Sequence, residues 1–151
     1  MQNVDIYIKT TARGPSIRPR AMYIYVIKMD MNGREYTKTG TGLLEDVTEN
    51  QITLQAIIHA LMRFNRSCDI CIYTECEHVL NSCRNFWPQQ WEKNGWVKNN
   101  GKEVKNADLW QQYLNLSKDH AISFSDEKHE YSAWMESELE RMEKNGYHKN
   151  H

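Results

Sequence analysis

The sequence lacks the features that would place a protein in a membrane or send it out of the cell. It has no run of about 18 apolar residues, the length that a membrane-spanning helix requires. Its first residues show no basic segment followed by an apolar stretch and a small-residue cleavage site, so we expect no secretory signal. We therefore expect a cytoplasmic protein with no membrane partner.

The sequence also lacks an excess of charge of one sign. The net charge of −1 argues against a protein that coats nucleic acid without specificity. The charges are distributed unevenly, however, with a local balance of +4 over residues 1–38 and −6 over residues 119–143. Such a pattern can orient a polyanion on one face of the molecule, and solvated surfaces also produce it by chance.

Cysteine is scarce, with four residues clustered at Cys68, Cys71, Cys76 and Cys83. The spacing of Cys68 and Cys71 is that of a redox or zinc motif. The surrounding CDICIYT predicts a strand, in which residues three apart point to opposite faces, and no second Cys or His pair follows. The pattern favours reduced, mostly buried thiols.

No internal repeat, low-complexity segment or linker divides the 151 residues. We predict one domain over residues 1–144 and a flexible tail over residues 145–151. Alternation predicts a first strand around 4–8, Asn32-Gly33 predicts a hairpin, and Thr48 is a candidate cap for a helix over 48–64. The complete order, β-β-β-α-β-α-α-β-α, predicts an α/β fold with a mixed five-stranded sheet and helices on both faces.

Three stretches in this order resemble type 1 ribonuclease H, the enzyme that cuts the RNA strand of RNA–DNA hybrids. They are TENQITLQAIIHALMRF at 48–64, IYTECEHVLNSCRNFW at 72–87, and WEKNGWVKNNGKEVKNADLWQQYLNL at 91–116. The first resembles the first-helix motif of the family, the second its strand-to-helix segment, and the third its basic protrusion and following helix. The resemblance implies a ribonuclease H-like fold over nearly the whole chain.

The family's hydrolysis uses two divalent ions about 4 Å apart, held by four carboxylates. The resemblance places four residues of this sequence at the family's carboxylate positions. They are, in order, Lys9, Thr53, Glu75 and Glu136, so that only the third and fourth positions hold an acid. Glu138 is the alternative for the fourth position if the last helix is aligned differently. His129 lies near the place of a mobile family histidine, in a loop that is shorter and lacks glycine.

Lys9 raises the question of what an ammonium does where the family has an acid. One interpretation is that the Lys9 ammonium occupies the space of a metal ion and neutralises Glu75 and Glu136. The other is that Lys9 leans out to solvent at the end of its strand. Since Mg²⁺ demands hard oxygen ligands, the loss of two of four carboxylates predicts an impaired site.

The positions with which the family holds its nucleic acid match this sequence better than the four carboxylate positions do. The resemblance implies nucleic-acid contacts at Asn50, Lys93, Trp96, Lys98, Lys102 and Lys105. Residues 84–105 contain five Lys or Arg and two Asp or Glu, a composition that suits phosphate binding. The alternative is structural, with Trp96 packing the protrusion and Asn50 serving as a polar residue near a helix N-terminus.

Three functions of different class remain open. The first is a non-catalytic module that binds an RNA–DNA hybrid, another nucleic acid or a protein partner. The second is a divergent hybrid endoribonuclease with one metal, Mg²⁺ or Mn²⁺, held by Glu75 and Glu136. The third is a protein-interaction or regulatory module without nucleic acid. The double replacement at Lys9 and Thr53 favours the first, for which we expect no cofactor.

Overall fold

The structure, a computed structural model, describes residues 1–145. These residues form five strands and five helices. The predicted tail therefore lies outside the described residues, apart from Asn145. The strands are β1 Gln2–Thr10, β2 Arg18–Met31, β3 Arg34–Val47, β4 Cys68–Tyr73 and β5 Ala121–Ser125. The helices are α1 Glu49–Leu61, α2 Glu77–Arg84, α3 Trp87–Lys93, α4 Ala107–Ser117 and α5 Ser132–Lys144.

The five strands form one mixed sheet in the order β3-β2-β1-β4-β5. The strands β1, β2 and β3 are antiparallel neighbours, and the Asn32-Gly33 turn joins β2 to β3 as predicted. Both turn residues have positive φ, 54° and 78°, as a type I′ hairpin turn requires. The strands β4 and β5 run parallel to β1 and are reached through helical crossovers. The predicted mixed α/β sheet is confirmed.

The central strand β1 is buried on both faces along its second half. Ile6 and Ile8 belong to the large core cluster under α1, while Tyr7 belongs to a second cluster under α5. The predicted alternation of buried and exposed residues therefore holds only at the start of the strand. Because β1 has neighbours on both edges and helices on both faces, any charge on its second half enters the interior.

The helix α1 begins where the sequence predicts. The Thr48 side chain accepts from the Gln51 backbone N–H, and the Gln51 side chain accepts from the Thr48 N–H, which completes a capping box. The helix ends at Leu61, three residues before the predicted end, so Phe64 lies in the following loop. Phe64 still packs against the core, because the loop turns back towards the sheet.

The predicted order lacks one helix. The segment after β4, for which the sequence predicts a helix interrupted by Pro88 and a second short helix through Trp91, forms two helices, α2 and α3, which meet at Phe86. Phe86 has φ 56°, a left-handed conformation that turns the chain between the two helices. The predicted interruption therefore exists but lies at Phe86, two residues before Pro88. Pro88 itself stands in the first turn of α3, where its missing N–H costs nothing.

The remaining helices cover the two faces of the sheet. The apolar residues of α1, α2 and α4 share the large core cluster, whereas Met135, Leu139 and Met142 of α5 pack on the opposite face. Helices on both faces are therefore confirmed. In the part of the chain that the structure describes, no helix is long and apolar enough to cross a membrane.

Candidate functional site

The centre of the candidate site is the side chain of Lys9, at the end of β1. Its Nζ lies 2.8 Å from Oε1 of Glu75 and 3.4 Å from Oε2 of Glu136. Glu75 follows β4, the parallel neighbour of β1, and Glu136 lies in the second turn of α5. Three elements distant in sequence thus bring one ammonium and two carboxylates together, and Lys9 does not lean out to solvent.

The burial of these three groups is unequal. The Lys9 side chain is 8% exposed, while those of Glu75 and Glu136 are 57% and 53% exposed. The hydrogen bond from Lys9 is the largest influence on Glu75 and lowers the pKa of its carboxyl below the usual 4.5, against the opposing effect of burial. A buried ammonium is therefore matched by carboxylates that water still reaches.

The alternative acid of α5 lies elsewhere. Oε1 of Glu138 is 3.0 Å from Nη2 of Arg141, one turn further along the same helix. Lys9 contacts Glu136 and not Glu138. Of the two candidates for the last acidic position, Glu136 is therefore the one whose carboxylate joins the Lys9 cluster.

Thr53, the other replaced position, lies on the same cleft. Its side chain is buried on α1 and lines a cavity of about 10 Å³ together with Lys9, Arg13, Glu49 and Glu75. The hydroxyl of Thr53 carries no charge, so it offers neither a counter-charge to Lys9 nor an anionic ligand. The four predicted positions are therefore adjacent in space, with one cation, one neutral hydroxyl and two carboxylates.

Arg13, in the loop that follows β1, adds a second cation to the cleft. Its Nη1 donates to the backbone carbonyls of Thr10 and Ala12, at 2.6 and 2.8 Å, and its Nη2 lies 3.8 Å from Glu75 Oε1. The position four residues after Lys9, just past the strand, was the available signal. Two cations thus contact the same carboxylate oxygen.

His129 lies beside the charged cluster but is firmly held. Its ring stacks on Tyr7 with centroids 4.1 Å apart, and its Nδ1 accepts from the backbone N–H of Tyr131 at 3.2 Å. Its Nε2 lies 3.3 Å from the hydroxyl of Ser132. Burial, and next the charge of Lys9, lower the pKa of His129 below the usual 6.5. These contacts hold the ring against Tyr131 and Ser132, the two residues at the start of α5.

The predicted nucleic-acid residues fall into two places. The basic protrusion, residues 93–105, has exposed side chains at Lys93, Lys98, Lys102 and Lys105. A short bridge between Val97 and Glu103 closes it into a hairpin-like loop. Trp96 is half-buried and packs against the large core cluster, so its side chain also anchors the protrusion.

Asn50 lies apart from the basic protrusion, in the first turn of α1. Its side-chain oxygen accepts from the thiol of Cys76, with a sulfur–oxygen distance of 3.2 Å. Cys76 is buried at the start of α2, and burial raises the pKa of its thiol. This contact, which no pattern in the sequence signals, fixes Asn50 between the starts of two helices. All four cysteines are free, and three of them are buried, as predicted.

The donor set of the cleft does not fit a pair of Mg²⁺ ions. Within residues 1–145, no three or more His, Cys, Asp and Glu side chains are grouped so that they could hold a metal ion. The space between Glu75 and Glu136 is taken by an ammonium, and an added cation would have to displace it or lie beside a like charge. The arrangement instead forms an ion-pair network around the Lys9 ammonium.

The order of the strands and the placement of the helices define a ribonuclease H-like α/β fold. The structure of LC9-RNase H1, a type 1 RNase H with the type 2 active-site motif, matches 93% of this chain and 72% of its own, with a TM-score of 0.75 and 15% identity. LC11-RNase H1 in complex with RNA/DNA hybrid matches 91% of this chain and 94% of its own, with a TM-score of 0.61 and 16% identity. At these identities the likeness concerns the fold alone.

The sequence places the chain within that class of proteins. The family model for RNase H matches residues 14–128. This chain therefore belongs to the RNase H family.

Two individual relatives, both called Ribonuclease H, show how much of the chain is similar. Ribonuclease H of Thermoanaerobacter sp. strain X514 is 33% identical over 84 residues, which are 56% of this chain and 54% of that protein. Ribonuclease H of Lachnoclostridium phytofermentans is 28% identical over 121 residues, or 80% and 77% of the two chains. The chain thus spans about half the length of the first of these relatives and more than three quarters of the second.

Proposed function

We propose that this chain is a ribonuclease H-family module that binds an RNA–DNA hybrid or a related nucleic acid and does not hydrolyse it efficiently. The observation that carries the proposal is the position of the Lys9 ammonium, within 2.8 Å of Glu75 and 3.4 Å of Glu136. A tethered cation there supplies the counter-charge for the remaining carboxylates without the Lewis acidity of a metal ion.

The absence of a carboxylate at Thr53 supports the same conclusion. Mg²⁺ takes oxygen ligands in near-octahedral geometry, and carboxylates supply the charge that holds it in a protein site. A buried neutral hydroxyl beside Lys9 does not replace that charge. Restoration of metal binding therefore requires changes at both positions.

The basic protrusion supports the binding part of the proposal. Lys98, Lys102 and Lys105 are exposed and make no ion pair with another described residue, so their charges remain available to phosphates. One structural neighbour, LC11-RNase H1, was solved with an RNA/DNA hybrid, and a foamy viral protease-reverse transcriptase was solved with the same kind of ligand. We propose a hybrid as the ligand of this chain by analogy with those proteins.

The proposal implies no resident cofactor and a place in the cytoplasm, where the four free thiols stay reduced. A nuclease with one Mg²⁺ or Mn²⁺ at Glu75 and Glu136, and a module that binds only protein, remain as outcomes of the test below.

The test is a binding and cleavage experiment on a labelled RNA–DNA hybrid at low salt, with Mg²⁺ and separately with Mn²⁺. We expect a gel shift without cleavage. Lys98→Ala and Lys105→Ala should each weaken the shift severalfold. Lys38→Ala, which removes an exposed cation from the strand β3, should leave it unchanged.

Two results would contradict the proposal. Cleavage that disappears in Glu75→Gln would show that a reduced metal site still works. The absence of both binding and cleavage would exclude the hybrid-binding module and leave a protein partner.

A further inference from the structure

The strand β5 leaves one edge of the sheet open, away from the Lys9 cleft. It pairs with β4 through residues Ala121 to Ser125, and no other strand among residues 1–145 lies against its outer side. β1 is two strand positions away, or about 10 Å across the sheet.

The hydrogen bonds of β5 show which of its peptide groups face outward. The backbone N–H of Thr74 in the β4 end donates to the carbonyl of Ser125 at 3.0 Å. Because peptide groups alternate along a strand, those of Ile122 and Phe124 point to the outer edge. A contact of Arg84 supports this assignment. Its Nη2 donates to the Phe124 carbonyl at 3.1 Å, so this carbonyl is not directed at β4. The N–H and carbonyl of Ile122 and the N–H of Phe124 then face outward without a strand partner.

A wide groove runs beside this edge. Its volume is about 860 Å³, and its walls are the α2–α3 junction on one side and α4 on the other. Its apolar surface includes Leu114, Phe124 and the half-buried Trp96. Phe86, at the junction of α2 and α3, is 63% exposed and forms part of the rim. The groove therefore offers apolar contacts directly beside unpaired backbone groups.

The polar side chains of the groove are also available. The amides of Gln89, Gln111 and Asn115 line it and make no side-chain hydrogen bond with another described residue. Its charged lining residues are Arg84 and Lys118 against the single carboxylate of Glu92. None of these three forms an ion pair within residues 1–145, so the two cations outnumber the one carboxylate and the groove has an unbalanced positive charge.

We propose that the β5 edge and this groove bind an extended acidic peptide segment of another protein, which joins the sheet as a sixth strand. Backbone hydrogen bonds to Ile122 and Phe124 supply the pairing, and the apolar groove accepts alternate side chains of the peptide. Arg84 and Lys118 contact its carboxylates. This proposal is independent of the Lys9 cleft and gives the chain a second, protein-binding function.

The experiment measures amide hydrogen exchange by NMR on the full chain with defined probes. The first is an acetylated and amidated Asp-Val-Glu-Val-Asp-Val-Glu peptide. The controls are its all-lysine counterpart Lys-Val-Lys-Val-Lys-Val-Lys, a version with proline at the central position, and the oligonucleotide dT8. We expect the acidic peptide to slow exchange at Ile122 and Phe124 at least tenfold and the three controls to leave it unchanged.

Two variants sharpen the test. Ile122→Pro removes an outward N–H from an edge strand, a position where proline is tolerated, and should abolish peptide binding. Lys118→Glu should weaken it at least fivefold without touching the sheet. Lys38→Glu, on the opposite edge strand β3, is the matched control and should bind normally.

The proposal is overturned if the acidic peptide at millimolar concentration fails to protect either amide. It is also overturned if the lysine peptide or dT8 protects them as well, because the groove would then lack the stated preference. Unchanged peptide binding by both Ile122→Pro and Lys118→Glu would also overturn the proposal, because neither the β5 edge nor the charge of the groove would then contribute to binding.

Discussion

Lys9 is the residue on which the chemistry of the cleft depends. An ammonium at the end of the central strand is costly to bury, and the structure offsets that cost with two carboxylates that approach from β4 and α5. The carboxylates depend on Lys9 in return, because without it they would face each other across the cleft. Because of this mutual dependence, removal of Lys9 should affect both the stability of the protein and the pKa of Glu75.

The variant Lys9→Met should destabilise the protein at pH 7 by about 1–2 kcal/mol, below the range for fully buried pairs because Glu75 and Glu136 are half-exposed. Urea unfolding measures the difference. The loss should shrink as the pH falls below 4.5, because a protonated Glu75 carboxyl no longer needs the ammonium. Lys38→Met, an exposed control, should change stability by less than about 0.5 kcal/mol. An equal loss in both variants would contradict the role assigned to Lys9.

The carboxyl of Glu75 should titrate below its usual pKa of 4.5, since the hydrogen bond from Lys9 favours its charged form. A lowered pKa in the folded state means stability that is present above pH 4.5 and is lost as the pH falls through the folded value. NMR of the labelled carboxyl carbon measures this directly. In Lys9→Met the pKa should rise; an unchanged value would show that Lys9 is not the cause.

His129 connects the cleft to the helix α5. Its Nδ1 can accept from the Tyr131 N–H only while that nitrogen is unprotonated, and the ring is packed on Tyr7. The protonated ring loses this contact and lies near Lys9. The start of α5, and with it the position of Glu136, is therefore coupled to the charge of one imidazole.

This coupling predicts a pH dependence. The pKa of His129 is lowered by burial and by Lys9, so its stabilising effect is present above pH 6.5 and is lost as the pH falls towards the folded value. Between pH 7 and pH 5 the wild type should lose more stability in urea than His129→Asn, whose amide oxygen can still accept from the Tyr131 N–H. Equal losses would mean that His129 does not control the start of α5.

The strand β3 depends on two glycines opposite tyrosine rings. A methyl group on Gly40 would overlap the ring of Tyr25, and one on Gly42 would overlap the ring of Tyr23. Gly40→Ala should therefore destabilise the protein by about 1–3 kcal/mol, as overpacking does. Thr39→Ala, one residue away and exposed, should cost less than about 0.5 kcal/mol. Thermal or urea unfolding distinguishes them, and equal costs would contradict the packing described.

The elements show what can be predicted from the sequence and what cannot. The Asn32-Gly33 hairpin and the Thr48 cap are local, because each depends on residues within one turn, and both were predicted correctly. The junction of α2 and α3 was predicted at Pro88 but lies at Phe86, because nothing in the sequence around Phe86 demands a left-handed residue there. Phe64 was placed on α1 because its spacing fits, yet the helix ends at Leu61 and a loop brings the ring to the core.

The candidate site was predictable only in part. The resemblance to family motifs indicated Lys9, Glu75 and Glu136. The contact between Lys9 and Glu75 follows from the parallel pairing of β1 with β4, whereas Glu136 is brought to Lys9 by the packing of α5 on the sheet. The contact between Arg13 and Glu75, and that between Asn50 and Cys76, arise from loop and helix ends whose approach no periodic pattern describes. The roles of all these residues in binding or hydrolysis stay predictions.

The whole molecule has a polarised charge distribution, with cations on the protrusion and carboxylates around α5. Such a surface should bind nucleic acid with an affinity that falls steeply with salt. Loss of one phosphate contact, in Lys98→Ala or Lys105→Ala, should reduce the slope of log affinity against log salt by about 0.9. Fluorescence anisotropy with a labelled hybrid measures the slope. An unchanged slope in both variants would remove the protrusion from the interface.

We propose that Lys9 and Thr53 together keep a metal-dependent site from working. This claim is tested most directly by single-turnover hydrolysis of a labelled RNA–DNA hybrid with Mg²⁺, for the wild type, Lys9→Asp, Thr53→Glu and the double variant. Only the double variant, with four carboxylates, should cleave. Robust hydrolysis by the wild type or by Lys9→Asp alone would contradict the claim, because a site with fewer carboxylates would then be sufficient.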